Sequence, residues 1–144
     1  MNRNPRILFL ALGLVVVGAA FLLVKILSPE KADLNAVPWV TVDEAYAPQD
    51  PIESFIKTDA ENRSALPVQI RNYGRSEPVL KLFKGKKFAQ PSANVLSMFF
   101  KSVEDWKIVD IKYKAENERE IVRTVLYILT EKRWTVGDTG VLVK

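Results

Sequence analysis

The residue types that most often carry chemistry in proteins are missing from this chain. Its 144 residues include no histidine and no cysteine. This excludes Ser-His-Asp and Cys-His nucleophilic catalysis, cysteine-ligated iron–sulfur clusters, His-ligated or covalently attached haem, and most zinc sites. It also excludes disulfide bonds, so packing within the domain or docking on a partner must hold the domain together. Carboxylates, lysines, tyrosines and hydroxyls are left for chemistry.

Carboxylates occur close together at three places in the sequence. They are the pairs Asp43–Glu44 and Glu104–Asp105 and the alternating run of Glu116, Glu118 and Glu120. A carboxyl group acts as a general acid only where desolvation raises its pKa. These groups fall in predicted turns or in a tether, and none matches a calcium loop, so we interpret them as solvated surface. We predict no catalytic residue, no metal site and no cofactor.

The second concentration of charge is a basic stretch between residues 71 and 87. It contains one acid, Glu77, and its aromatic residues are Tyr73 and Phe83. Such a stretch is able to bind single-stranded nucleic acid, a lipid headgroup surface or an acidic subunit, and the alternative is a plain solvated loop. Its basic residues are Arg71, Arg75, Lys81, Lys84, Lys86 and Lys87.

The element that must position these residues in the cell is an apolar run at residues 7–24. It has no charge, no hydrogen-bonding side chain and no proline, and thirteen of its residues are Leu, Ile, Val or Phe. Each of these favours membrane insertion by about 0.3–0.6 kcal/mol. The run is too long for a signal peptide, and no small-x-small cleavage site follows it. We predict an uncleaved transmembrane helix over 7–28, after a tail at 1–6.

Small residues recur in this predicted span at seven-residue spacing and would let another helix approach closely. They are Ala11 with Gly18 and Gly13 with Ala20. Lys and Arg counts on the two sides of the span are tied, and the terminal amine favours a cytoplasmic amino terminus, although the reverse orientation stays open. The predicted location is the inner (cytoplasmic) membrane, with the rest of the chain in the periplasm. A nucleic acid partner does not fit that location.

Residues 29–53 contain four prolines among acidic and small residues, which predicts an extended Pro-rich acidic tether. Within it, residues 37–42 are predicted to form a short edge strand. Trp39 either docks the tether on the domain or lies at the membrane interface. A domain at 54–144 follows.

Patterning predicts a small α+β domain in which a helix packs on an antiparallel β-meander. The expected helices are 51–61 and 92–103. The expected strands are 68–70, 79–83, 106–113, 120–130 and 133–143, with Val109, Ile111 and Tyr113 on the opposite face from Asp110 and Lys112. For 118–131 a helix is the alternative, because Asn117 and Glu120 match a capping box.

A helix followed by a meander with a late Trp134-Thr-Val is loosely similar to cone-shaped α+β domains on single-pass secretion components. This similarity covers about fifty residues of the chain and assigns no role to any residue. The sequence as a whole predicts a non-catalytic, single-pass accessory subunit of a hetero-oligomeric membrane complex, respiratory or photosynthetic, whose partners are other membrane-protein subunits and the lipid bilayer. The alternative is a membrane-tethered extracytoplasmic binding module of a secretion or cell-envelope system.

Overall fold

The computed structural model describes residues 31–89, 92, 96 and 102–144. The predicted tail, the transmembrane helix at 7–28 and the helix-packing residues Ala11, Gly13, Gly18 and Ala20 lie outside the described residues. In the part of the chain that is described, no helix is both long and apolar enough to cross a bilayer. Residues Ala32–Lys144 form one compact unit.

The described residues form a six-stranded antiparallel sheet. The order of its strands is β1-β2-β4-β5-β6-β3, so the last three strands of the chain form a meander in its centre and β3 returns to its edge. The strands are β1 (Val40–Val42), β2 (Val68–Gly74), β3 (Phe83–Gly85), β4 (Val103–Lys114), β5 (Glu120–Thr130) and β6 (Arg133–Leu142).

The antiparallel meander is confirmed, and residues 120–130 are a strand rather than the alternative helix. β5 pairs with β4 along its whole length and with β6 from Thr124 onward. Its residues 124–128 are buried whichever face of the sheet they point to. A helix over the same residues would lose both ladders, so long-range pairing overrides the local capping signal.

Two helices are fully described, and the first of them was predicted. In α1 (Pro51–Asn62) the Asp50 side chain accepts a hydrogen bond from the Glu53 N–H at 3.1 Å, and Pro51 occupies the first turn. The second helix, α2 (Glu77–Leu82), replaces the strand predicted at 79–83, which is wrong. Ser76 caps α2 through the Val79 N–H, and only Phe83–Gly85 continue as a strand.

The sheet buries side chains on both faces, because successive residues of a strand point to opposite sides. We call the side covered by α1 the α1 face; its core includes Ile52, Ile56, Val109, Val125 and Tyr127. The other side, the α2 face, holds Leu80, Phe83, Trp106, Ile108 and Leu126. The predicted alternation of β4 is confirmed by this division.

The helix predicted over 92–103 falls mostly outside the described residues. Leu96 is helical, and it is buried in the core of the α2 face. Val103 is not helical but begins β4, so the predicted helix end is wrong there. Ahead of α1, the predicted edge strand is confirmed as β1, and Leu34 and Val42 are buried. Part of the predicted tether therefore packs on the sheet, since its apolar side chains have a core to enter.

Candidate functional site

The basic stretch is divided by the fold among three elements. Arg71 lies in β2, Lys81 lies in the last turn of α2, and Lys84 lies in β3. Arg75 precedes α2, and Lys86 and Lys87 follow β3. The stretch is therefore contiguous in sequence but presents its charges at separate places on the domain.

Arg71 packs against Trp39, which is the aromatic residue that the sequence predicts to dock or bind. The guanidinium carbon lies 4.5 Å from the centroid of the Trp39 ring, and the Lys112 Nζ lies 4.3 Å from it. Two cations on one indole ring are a favourable cation–π arrangement. Trp39 thereby fastens the segment before β1 to β2 and β4, which supports the docking interpretation over a membrane-interface position.

Next to Arg71, a buried carboxylate organises a polar cluster on the α2 face. Asp110 stands opposite Arg71 in the β2–β4 ladder. It accepts hydrogen bonds from the Tyr73 hydroxyl at 2.7 Å and from the Thr124 hydroxyl at 2.6 Å. Burial, and then the bond to Asp110, raise the pKa of Tyr73 to about 12, while Arg71 acts in the opposite direction. Tyr73 is therefore a neutral donor near neutral pH, and it satisfies Asp110 rather than acting as a base.

The other basic residues before β3 make weaker contacts. Arg75 lies 5.6 Å from the Trp106 ring centroid and 3.7 Å from an Asp105 carboxylate oxygen, with its side chain largely in solvent. Lys81 is exposed at the end of α2. Of the carboxylates that occur close together in the sequence, all except that of Asp105 are exposed. Within the described residues, no group of three or more acidic side chains is arranged to hold a metal ion.

The residues after β3 are fixed by a second buried carboxylate, Asp138. Its Oδ2 accepts the main-chain N–H groups of Lys87 and Phe88, both at 3.0 Å, and its Oδ1 accepts that of Thr139 at 2.8 Å. Asp138 is only 3% exposed, so these charge-assisted bonds replace its lost hydration. A Cβ at Gly85 would overlap the Asp138 carboxylate, which explains the glycine there.

Two adjoining clefts open on the α1 face, where α1 does not reach the far strands. The first, of about 400 Å³, lies between α1 and the sheet, and Val125 and Tyr127 are among its lining residues. The second, of about 350 Å³, is lined by Lys84, Lys86 and Arg123. Arg123 and Thr139 line both clefts, so the two clefts adjoin in one depression. The first cleft is mostly apolar, although Asp59 and Arg63 also line it, and the second is cationic.

Exposed valines flank this depression. Val136 and Val141 keep 52% and 60% of their surface in solvent, although both belong to β6. Val136 pairs with Tyr127 and Val141 pairs with Lys84, so both valines lie on the α1 face. We call the set Lys84, Lys86, Arg123, Val136 and Val141 the valine–lysine surface. Apolar side chains exposed among cations on one sheet face are typical of a docking surface.

Sequence reasoning found two of these five residues, Lys84 and Lys86, and missed the rest. Arg123, Val136 and Val141 are distant in sequence and are brought to β3 by the β5–β6 and β6–β3 ladders. The sequence contained one signal for Val136 and Val141. The strand β6 has apolar residues on both faces, and a strand near the sheet edge has few neighbours that could cover them.

Comparisons of the chain with protein-family models, with curated proteins and with solved structures found no match. Function is therefore inferred from the geometry of the domain and from the apolar sequence of residues 7–24.

Proposed function

We propose that this chain is a non-catalytic, single-pass accessory subunit of a membrane complex, and that its domain docks on another subunit through the valine–lysine surface. In this proposal the span at 7–28 anchors the chain in the cytoplasmic membrane with the domain on the periplasmic side. Its role is scaffolding, in which the anchor packs among other transmembrane helices and the domain holds a neighbouring subunit. Respiratory or photosynthetic complexes are the proposed hosts.

The observation that carries this proposal is the exposure of Val141 beside Lys84, Lys86 and Arg123, and of Val136 beside Arg123, on the same face of the sheet. Burying about half of each valine on a partner would contribute roughly 1 kcal/mol per side chain. The cations would add specificity for an acidic partner and faster association.

The state of the buried carboxylates also supports a non-catalytic role. Asp110 and Asp138 are the two buried acids among the described residues, and each is held by hydrogen bonds from the protein itself. A general acid or base needs a proton route to a bound substrate. Bonds of this kind instead tie β2 to β4 and the segment after β3 to β6.

A membrane-tethered binding module is the second candidate function. It is favoured by the depression on the α1 face, because a pocket that is mostly apolar at one end and cationic at the other suits a small or extended ligand. The two candidates differ in whether the partner stays bound when the membrane is solubilised.

Site-specific photo-crosslinking in intact membranes tests the docking proposal. A photoreactive residue at Val141 of the full-length chain should yield an adduct with one defined membrane-complex subunit, and the same residue at the exposed Glu116 should not. Recovery of that adduct within a large complex after mild detergent would support the accessory-subunit role. Adducts from both positions alike, or from neither, would refute docking at this surface.

A further inference from the structure

Part of the outer edge of β6 has no strand paired with it among the residues that the structure describes. On its inner side β6 pairs with β5 from Arg133 onward, but on its outer side β3 pairs only with residues 140–142. Two further main-chain bonds extend this contact: the Val143 N–H donates to the Leu82 carbonyl at 3.0 Å, and the Lys86 N–H donates to the Thr139 carbonyl at 3.1 Å, where the segment after β3 leaves this edge. Among the described residues, no strand pairs with β6 on this outer side between Arg133 and Gly137.

The turn before β6 determines which main-chain groups point outward. β5 and β6 are joined by Glu131 and Lys132, which both have positive φ (49° and 61°). In a two-residue turn of this kind the flanking residues, here Thr130 and Arg133, exchange both of their hydrogen bonds. Because bonded and non-bonded pairs alternate along the ladder, the N–H and C=O groups of Trp134 and Val136 point away from β5.

We propose that this edge binds an extended acidic segment of the partner subunit, which adds to β6 as a further antiparallel strand in line with β3. The inference deepens the proposed docking function and rests on it. The groups available are the two outward N–H and C=O pairs of Trp134 and Val136, together with their side chains on the α1 face. Main-chain bonds of this type give affinity, and alternate side chains give specificity.

Charge at the β3 end of the open edge favours an acidic occupant. Lys86 and Lys87 are exposed there, where the Lys86 N–H meets Thr139. At the other end, Lys132 and Arg133 lie beside two acids, Glu131 and Glu104, and Glu104 accepts the Lys132 N–H at 3.1 Å. A carboxylate on the part of the added strand next to β3 would face the cations at the β3 end. Salt would screen this attraction only in part at moderate ionic strength.

Peptide binding to the full-length chain in detergent micelles tests the proposal. The probe is the acetylated and amidated peptide Glu-Glu-Val-Thr-Val-Thr, which places two acids beside Lys86 and two valines beside Trp134 and Val136. Its matched control is Gln-Gln-Val-Thr-Val-Thr. The acidic peptide should bind about five-fold or more tightly than the control at low salt, and the ratio should approach one at high salt because exposed charges are screened.

Two variants at one position separate main-chain pairing from side-chain contact. Val136→Pro removes an outward N–H without touching the β5–β6 ladder, and Val136→Thr keeps the N–H while changing the side chain. Peptide binding should fall about ten-fold or more in Val136→Pro and much less in Val136→Thr. In the wild-type complex, the amide hydrogens of Trp134 and Val136 should become protected from exchange.

Each outcome bears on the proposal. Equal binding by the two variants, absence of peptide binding, or no new protection at Trp134 and Val136 would overturn it. A wild-type dimer that Val136→Pro converts to a monomer would also overturn it, because the occupant would then be a second copy. If the Val141 adduct forms normally while Val136→Pro and Val136→Thr assemble equally well, docking stands and strand addition fails.

Discussion

The Asp138 carboxylate and the Lys87 main chain are 51 residues apart in sequence and are joined by a 3.0 Å hydrogen bond. The bond starts from the last strand of the meander and ends in the segment that follows β3. It holds the end of the segment that carries Lys84 and Lys86, so the position of these cations depends on Asp138 as well as on the pairing of β3 with β6.

Replacing that acid should loosen the segment and lower stability. Asp138→Ala leaves three main-chain N–H groups without their acceptor, and hydrogen bonds to charged groups contribute about 1.5–3 kcal/mol each. Because some of these groups can rebond to water, we expect a loss of about 2–4 kcal/mol in denaturant unfolding. Asp59→Ala is the matched control; it removes only an exposed pair with Arg63 and should change stability by less than about 0.5 kcal/mol. Equal losses of stability in Asp138→Ala and Asp59→Ala would contradict the role of Asp138 in holding the segment after β3.

The pairing of β3 with β6 should depend on Gly140. A Cβ at this position would overlap the Lys84 carbonyl oxygen, so Gly140→Ala should push β3 away from the sheet. We expect faster amide exchange at Phe83–Gly85 and a lower melting temperature. Val141→Ala, at the exposed neighbouring position, should leave both the amide exchange rates and the melting temperature nearly unchanged. Unchanged amide exchange at Phe83–Gly85 in Gly140→Ala would contradict this prediction, because β3 would then accommodate the methyl group without separating from β6.

Removing the Tyr73 hydroxyl should change how stability depends on alkaline pH. In the folded domain the pKa of Tyr73 is raised to about 12, above the ordinary value near 10, so the protonated hydroxyl favours folding. Its contribution is complete below about pH 10 and is lost as pH rises through about 12. Tyr73→Phe should be less stable than wild type at pH 7 by about 1–2 kcal/mol, and the difference should narrow between pH 10 and 12.

Denaturant unfolding of both proteins from pH 7 to 12 measures this difference. Tyr46→Phe is a useful comparison, because burial and a 2.7 Å bond to Glu53 also raise the pKa of Tyr46 to about 12, but in a position remote from Asp110. If the difference in unfolding free energy between wild type and Tyr73→Phe stayed constant from pH 7 to 12, the Tyr73 hydroxyl would not be the group that loses its proton in this range.

Most of the strands could be predicted from the sequence, because their alternation is strong. In β4, Val109 and Ile111 alternate with Asp110 and Lys112, and the structure places the two sets on opposite faces. The strand predicted at 79–83 failed because a short apolar run fits a helix and a strand equally well. The deciding signal was local, namely Ser76 as a cap and Pro78 in the first turn.

The candidate site was less accessible to sequence reasoning than the fold. Lys84 and Lys86 were noticed because they belong to a run of cations. Arg123 shares the α1 face with Val125 and Tyr127 through the alternation of β5, but only sheet pairing brings it near Lys84. Val141 reaches this face because the register of β6 shifts by one residue at Gly137, and a glycine within a strand is only a weak signal of such a bulge.

The predicted anchor has a direct test in cell fractions. Deleting residues 1–28 should release the remaining chain from the membrane, because no other apolar run in the sequence approaches the length of the one at 7–24. Fractionation with a high-salt wash measures the release. Persistent membrane association of the shortened chain in cells lacking its partners would contradict a single anchor.

We propose that the valine–lysine surface docks this chain on another membrane subunit. The most direct test of this docking is native electrophoresis of the full-length chain after mild detergent, comparing wild type with the double variant Lys84→Glu, Val141→Asp and with Glu116→Lys as the control. We predict that wild type and control migrate in one large complex and that the double variant loses about ten-fold or more of that complex while remaining folded. An undiminished complex in the double variant would contradict the account, as would a wild-type chain that migrates alone.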